Sequence, residues 1–472
     1  MKYLSTLIVT LLFFTQASLA QNLSQKIENA FEAFEQDPNM KYGIASITVL
    51  NANTGETVYA KNEGTGLATA STMKAITTAT AYSVMGGNYK YETSLRYSGQ
   101  IDGDGVLNGD VIIQGTGDPS LGSENFEETK PENILAQWVS AIKRAGIKKI
   151  NGSIIGDDIL FNGQMAPSGW TWVDMGQYYG SSVSSLNWRE NKFKIILSGK
   201  GKVGGPASLL RTSPNKPYLK IINEVTIGKA GTGDQVYAYS APYSSFIVLR
   251  GTYASDLNKQ IEISIPDGAL DAAWSLQMAL DEAGVSVAEP ANTAFLMKSD
   301  GEGIPLETTL LDRYFSPTIS QICYWFMKRS INLYGEALLK TAALQEGSDP
   351  ETGEAVDWER EYWSEKIGED EGALKIKDGS GLSPESRVTT MAMAKILLYA
   401  KKQNWFGSYY ENMPTYNNMK MKSGTIGGVL GYTGYHTAPD GTPLVFSFLI
   451  NNHMGRSQPM RLKMFKMLDA LK

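Results

Sequence analysis

The chain has 472 residues, enough for about three domains at roughly 150 residues each. Its 42% hydrophobic and 19% charged content supplies a packed core and excludes wholesale disorder, and 43 basic against 49 acidic residues, a formal charge of −6, argue against a nucleic-acid partner. One cysteine, Cys323, and two histidines, His436 and His453, exclude an intrachain disulfide and a cysteine zinc site and supply a metal centre or a Ser-His-Asp triad poorly. No metal or cofactor is therefore expected, and a nucleophile here needs a base other than histidine.

At the start of the chain, Lys2, the apolar stretch from Leu4 to Phe14 and the small residues Ser18 and Ala20 predict a secretory signal over 1–20, cleaved after Ala20. The apolar run is shorter than the roughly 20 residues a spanning helix needs. No cysteine follows it, so no lipid anchor is expected. Export without disulfides points to the periplasm or extracytoplasmic envelope of a bacterium. A helix is predicted from Ser24 to Glu35. A strand from Tyr42 to Leu50 and a second at Val58 to Ala60 flank the turn Asn53-Thr54-Gly55. Thr72 to Val84, free of proline and glycine, reads as a helix beginning near Ser71.

From about 96 to 264 the texture changes to short strands (Val111 to Ile113, Ile147 to Ile155, Phe193 to Leu197) between Gly, Pro and Asn turns. Helices return at Leu270 to Ala283, Thr318 to Lys328 and Tyr334 to Leu344. Leu444 to Ile450 is an apolar strand, and Met460 to Leu471 an amphipathic helix. The expected organisation is a discontinuous domain from 21–95 and 265–472. Its insertion, 96–264, is expected to form two small β-rich domains. The C-terminal stripe of Met464, Phe465, Met467, Leu468 and Leu471 beside Arg461, Lys463 and Lys466 is expected to pack on the sheet, with peripheral membrane contact as the other reading. Cys323, in the apolar run Ile322 to Phe326, reads as core. The sequence does not indicate an oligomeric state.

With histidine scarce, the search turns to serine and lysine. In S-x-x-K on a helix, hydroxyl and amine share a face one turn apart. A lysine whose charge is disfavoured by burial or by a neighbouring cation can serve as the base for the serine. S-x-x-K occurs at Ser71–Lys74, Ser140–Lys143 and Ser213–Lys216. S-x-N occurs at Ser123–Asn125, Ser185–Asn187 and Ser330–Asn332, and Lys-[Ser/Thr]-Gly once, at Lys422-Ser423-Gly424. Context favours Ser71, at a helix start where free N–H groups stabilise negative charge. Ser140 lies within an amphipathic helix, and Ser213 in a loop between Pro214 and Pro217. Ser330–Asn332 falls between two predicted helices.

Ser71-Thr72-Met73-Lys74, Ser330-Ile331-Asn332 and Lys422-Ser423-Gly424-Thr425, in this order, resemble the motif set of penicillin-binding proteins. The long gap between the first two motifs resembles the class C low-molecular-mass penicillin-binding proteins, the D-alanyl-D-alanine carboxypeptidase/endopeptidase family. Further similar segments are Gly117-Asp118-Pro119-Ser120-Leu121, Gly156-Asp157-Asp158, Asn332-Leu333-Tyr334-Gly335-Glu336 and Asp378-Gly379-Ser380-Gly381-Leu382-Ser383. Three positions depart from the family pattern: Ile331 for Asp, Gly335 for Ala and Ser423 for Thr.

The resemblance implies an α/β fold, a transpeptidase-like domain with an antiparallel sheet flanked by helices, shared with serine β-lactamases and carrying inserted β-rich domains. It implies a serine D-Ala-D-Ala carboxypeptidase, with cross-link endopeptidase action as a second expected reaction and β-lactams and peptidoglycan stem peptides as partners. Ser71 would be the nucleophile and Lys74 its base. Ser330 and Lys422 would relay a proton to the leaving amine, and Asn332 would hold the substrate amide. The N–H groups of Ser71 and Thr425 would form an oxyanion hole, and Ser423, Gly424 and Thr425 would receive the terminal carboxylate. Asp157 would bind the free amine of a diaminopimelate side chain, its other reading being a turn aspartate. A serine β-lactamase or esterase on the same fold is the alternative. A non-catalytic wall-binding protein would be expected to lack Ser71, Lys74 or Lys422, and all three are present.

Overall fold

The structure is a computed structural model describing residues 23–472, so the signal expected over 1–20 lies outside the described residues. Two compact units emerge from the packing of the chain. The first takes in the described residues up to Ser83, Phe326–Ser330 and Val356–Lys472; the second takes in Val84–Trp325 and Ile331–Ala355. The stretch 96–264 lies wholly within the second unit, which extends past it on both sides.

The first unit is built on a six-stranded antiparallel sheet in the order Thr57–Lys61, Ile44–Asn51, Pro443–Asn451, Val429–Thr437, Met419–Ile426, Thr415–Tyr416. The first predicted strand, Ile44–Asn51, thus pairs along its whole length with the last, Ile44 opposite Asn451 and Asn51 opposite Leu444. Alternation sorts its side chains by face. Ile47 and Val49 join Phe446, Phe448 and Ile450 in a core closed by Ile27, Phe31 and Phe34 of the helix 23–35. The C-terminal helix Ser457–Leu468 and the following 3-10 turn contribute Met460, Met464, Met467, Leu468 and Leu471 to the same core. The apolar C-terminal stripe is therefore buried against the sheet. Among the described residues no helix is long and apolar enough to cross a membrane.

The opposite face mixes small polar residues (Ser46, Thr48, Thr433, Ser447) with buried apolar ones (Leu50, Val445, Leu449). Ser46 and Thr48 both hydrogen-bond Thr390 Oγ1, at 2.7 and 2.9 Å, at the start of the helix Thr390–Lys401. The helix Lys74–Val84 lies in this unit as far as Ser83 and is buried from Lys74 to Tyr82. Helices covering both faces make the antiparallel sheet the middle layer of an α/β domain.

The second unit carries two cores. One is a five-stranded mixed sheet, Asn292–Thr293, Ile154–Asp157, Val111–Gln114, Glu92–Tyr97 and Thr309–Phe315, with the helices Pro131–Arg144 and Gly268–Glu282 packed against it. The other is all β, around Phe193, Ile195, Ile247, Leu249 and Ile263. Cys323 is fully buried in the helix Ile319–Arg329, and burial pushes its thiol pKa well above the ordinary range.

Candidate active site

The chain enters the site through a strained turn. Ala70 has φ +45°, a left-handed conformation rare for a residue with a Cβ, and Ser71 follows it in the 3-10 turn Ala70–Met73. The turn runs directly into the helix Lys74–Val84, so the sequence places the helix start correctly, with Ser71 one short turn ahead of the α-helical hydrogen bonding. A 3-10 turn brings residues three apart into register. Lys74 Nζ accordingly lies 2.9 Å from Ser71 Oγ. The lysine is fully buried, its Nζ also donates to the carbonyl of Ser380 at 2.7 Å, and the Phe326 ring lies 5.7 Å from it.

Ser330 and Lys422 form a second serine–lysine pair in the same unit. Ser330 has φ +57°, and Lys422 Nζ donates to its hydroxyl at 3.1 Å and to the Ser423 carbonyl at 2.9 Å. Lys422 is 1% exposed. Burial, and then the charge of Lys74, hold its pKa well below the ordinary lysine value. Two amines deprived of water and close enough to repel are an arrangement in which one lysine readily gives or takes a proton.

The strand Met419–Ile426 carries Lys422 to Thr425. Gly424 lies against the Ser71 turn, where a Cβ would stand 2.7 Å from Thr69 O, 2.8 Å from Thr72 N and 2.9 Å from Ser71 N. Only glycine lets the strand come this close to the backbone of the serine. Ser423 and Thr425, two apart, share a strand face. Arg461 of the C-terminal helix donates to Thr425 Oγ1 at 2.8 Å. Its sequence reading, as one cation of an amphipathic stripe, gave no hint of that contact.

The Asp378 loop is a second contributor whose chemistry was not legible in its sequence. Asp378 is fully buried and accepts hydrogen bonds from Ser380 Oγ, Gly381 N, Ser383 N and Ser386 Oγ. This fixes the loop whose Ser380 carbonyl receives Lys74. The Gly-Ser-Gly run was the available signal: at Gly381, φ +75°, a Cβ would collide with the carbonyl of Ala70.

The remaining motif copies have other partners. Ser140 accepts from Arg144, while Lys143 donates to the Ala283 carbonyl. Lys216 is ion-paired with Asp271 in the interior. Ser123 and Asn125 both bond the carboxylate of Glu190, and Asn187 donates to the carbonyls of Asp118 and Ser184. Asn332, at the start of the helix Asn332–Gln345, belongs to the second unit. It is 7% exposed and its Nδ2 donates to the Tyr179 carbonyl at 2.7 Å. Asp157, also in the second unit, is a buried strand-end residue accepting from Gln114 Nε2 at 3.1 Å; burial raises its pKa. His453 is buried and His436 half-buried, and among the described residues no group of three or more potential ligands could hold a metal ion.

Comparison with known proteins matches residues 27–469 to a family described as D-Ala-D-Ala carboxypeptidase 3 (S13). The chain is 24% identical over 465 residues to the D-alanyl-D-alanine carboxypeptidase of Actinomadura sp. (strain R39), covering 91% of this chain and 82% of that protein. It is 23% identical over 432 residues to D-alanyl-D-alanine carboxypeptidase DacB of Haemophilus influenzae, covering 85% and 84%. The crystal structure of penicillin binding protein 4 (dacB) from Haemophilus influenzae superposes with a TM-score of 0.75 at 20% identity, over 95% of this chain and 97% of that one. A second structure of that protein, complexed with a β-lactam, superposes with a TM-score of 0.71.

Proposed function

The chain belongs to the D-Ala-D-Ala carboxypeptidase 3 (S13) family and is a serine-type D-alanyl-D-alanine carboxypeptidase; we propose that Ser71 is its nucleophile and Lys74 the base that activates it. The observation that carries this reading is the 2.9 Å approach of Lys74 Nζ to Ser71 Oγ in a fully buried setting. Lys74 takes the serine proton as Oγ attacks the carbonyl between the two D-alanines. The oxyanion that forms is met by the N–H groups of Ser71 and Thr425, and loss of one such donor typically costs about 10²–10³ in rate. Collapse expels D-alanine, whose amine receives a proton through Ser330 and Lys422. Water then releases the shortened peptide from Ser71.

The hydroxyls of Ser423 and Thr425, beside Lys422, are proposed to hold the terminal carboxylate, with Gly424 supplying the clearance. Asn332 is proposed to hold the substrate amide, and Asp157 the amine of a diaminopimelate side chain, both on the family resemblance. Action on peptidoglycan stem peptides places the enzyme outside the cytoplasm, and the signal expected over 1–20 supports a periplasmic or envelope location. Cleavage of D-Ala cross-links is the second proposed reaction, since a cross-link presents the same carbonyl with a larger leaving amine. β-Lactams acylate Ser71 as analogues of the D-Ala-D-Ala terminus.

Incubation with muropeptides and mass analysis of the products is the deciding test. Loss of one D-alanine, absent in Ser71→Ala, supports the reading. Unchanged muropeptides with rapid β-lactam hydrolysis would favour a β-lactamase instead.

A further inference from the structure

Arg189, Glu190 and Asn191 are three consecutive residues in the left-handed region, at φ +55°, +57° and +48°. None is glycine, so the turn is strained, and strain of this kind persists only where the surroundings fix it. The fixing contacts are present. The Arg189 N–H donates to the Leu121 carbonyl at 3.0 Å, and Asn191 Oδ1 accepts the Trp188 N–H at 2.9 Å. Glu190 is 3% exposed and its carboxylate is fully engaged. Its Oε1 accepts from Ser123, Asn125 and Tyr334 at 2.7, 2.6 and 3.0 Å, and its Oε2 pairs with Lys192 at 2.9 Å. The Ser123–Asn125 copy of S-x-N thus serves to hold this turn.

The turn leaves its arginine without an acceptor. Arg189 Nε is buried with no hydrogen-bond partner, and among the described residues the guanidinium makes no ion pair. It lies over the Trp188 ring, 5.7 Å from the centroid. Asp271, the carboxylate that acts on it most strongly, is engaged elsewhere: its Oδ1 accepts from Lys216 and, at 2.6 Å, from Tyr218. Burial lowers the arginine's pKa from its ordinary value, with Asp271, Glu124 and Glu132 opposing. A charged donor deprived of water is costly to keep until an acceptor meets it.

Arg189 lines a cavity of about 250 Å³ in the second unit, with Lys192, Lys194, Glu124, Glu190 and Glu262 as the other charged residues. Lys192 joins Glu190 and Glu262, at 2.9 and 3.7 Å. Lys194 and Glu124 are both exposed and offset each other. Arg189 is therefore the charge that the walls leave unmatched.

We propose that the cavity at the Arg189–Asn191 turn binds a small carboxylate, held by the Arg189 guanidinium. The planar fork of an arginine matches the two oxygens of a carboxylate. The site uses no residue of the Ser71 centre. The reaction itself handles two carriers of a carboxylate, the stem peptide and the D-alanine it releases.

The test uses the full mature chain and benzoate, observed by saturation-transfer NMR, with benzamide as the neutral analogue of the same shape. Benzoate should bind at least tenfold tighter than benzamide. Arg189→Gln should weaken benzoate at least tenfold, Arg189→Lys should recover part of the loss, and Lys194→Gln should change it less than threefold. Equal binding of benzamide, no binding of benzoate, or binding that survives Arg189→Gln overturns the proposal. Penicillin acylation of each variant reports folding and the Ser71 chemistry separately. If Arg189→Gln fails to acylate, the site is located in crystals of the unaltered protein soaked with 4-bromobenzoate. Bromine beside Arg189 supports the proposal, and bromine elsewhere or nowhere overturns it. In Ser71→Ala, where no turnover occurs, displacement of benzoate by a stem peptide but not by D-alanine assigns the peptide as the source. Displacement by D-alanine but not by D-alaninamide assigns the released product.

Discussion

Lys422 Nζ lies 3.1 Å from the hydroxyl of Ser330, 92 residues earlier in the chain, and the lysine is almost completely buried. Together with Lys74 at Ser71 it gives the first unit two serine–lysine pairs, each lysine also tied to a backbone carbonyl. Fixing both amines by backbone acceptors leaves little freedom to lose when substrate arrives, which is where positioned groups gain most of their rate advantage.

Ser71→Ala removes the only atom proposed to be acylated. Covalent labelling by penicillin and release of D-alanine should both vanish, with thermal unfolding close to that of the parent because Ser71 is only half-buried. Intact-protein mass spectrometry after penicillin treatment checks this. Adduct at another serine would move the nucleophile to a different S-x-x-K copy.

The lowered pKa of Lys422 has a directional consequence. A lysine shifted down loses its charge at lower pH than the ordinary lysine near 10.5, so its hold on a carboxylate should fade as pH rises through that lowered value. Removing the Lys74 cation should move this limb to higher pH. Affinity of a D-Ala-D-Ala peptide measured against pH in Ser71→Ala, and again in Ser71→Ala with Lys74→Ala, reads the shift without turnover. Superimposable profiles would mean the two amines do not sense each other.

Gly424→Ala should be nearly inactive. A methyl group 2.7–2.9 Å from three backbone atoms of the Ser71 turn forces strand and turn apart, and displacement of about 1 Å at a reacting group costs on the order of 10²-fold. Second-order acylation by penicillin is the measurement, and a rate within threefold of the parent would contradict the close approach.

Arg461→Ala tests the contact that the sequence did not reveal. Without its hydrogen bond to Thr425 Oγ1 the hydroxyl loses its orienting donor. A charge-assisted bond contributes about 1.5–3 kcal/mol, and partial solvent exposure brings the expected effect to about tenfold in KM with a smaller change in kcat. Arg461→Lys should recover part of it.

Glu359 offers a test of stability against pH. It is fully buried, accepts from Thr80 Oγ1 at 2.6 Å, and burial raises its pKa from 4.5 to about 7. The folded state therefore holds this proton more tightly than the unfolded state. Stability from this group is present below about 4.5 and is lost progressively as pH rises to about 7, by at most on the order of 3 kcal/mol. Glu359→Gln, neutral at every pH, should gain in Tm relative to the parent across that interval. A constant Tm difference from pH 4.5 to 8 would exclude the shift.

Local chemistry was legible because it is local. Ser71 and Lys74 are three residues apart, so a helix start alone brings them together. Glycine-rich turns, apolar alternation and helix periodicity placed most of the elements they marked within a few residues, but left many short strands of the second unit unmarked and joined Lys149–Ile150 and Ile154–Asp157 into one run. The order of the three motifs carried the family and its activity. The tertiary structure decided what depends on long-range closure. The strand Ile44–Asn51 finds its partner about four hundred residues away in Pro443–Asn451, and no local pattern encodes that register. Lys74 meets the carbonyl of Ser380, 306 residues on, because a backbone carbonyl carries no side-chain signature to read. Arg461 looked like one charge of a surface stripe until the helix packed down and turned it onto Thr425. The lowered pKa of Lys422 belongs in the same class: proximity to Lys74 and removal from water are properties of packing, which a lysine's place in a sequence does not contain.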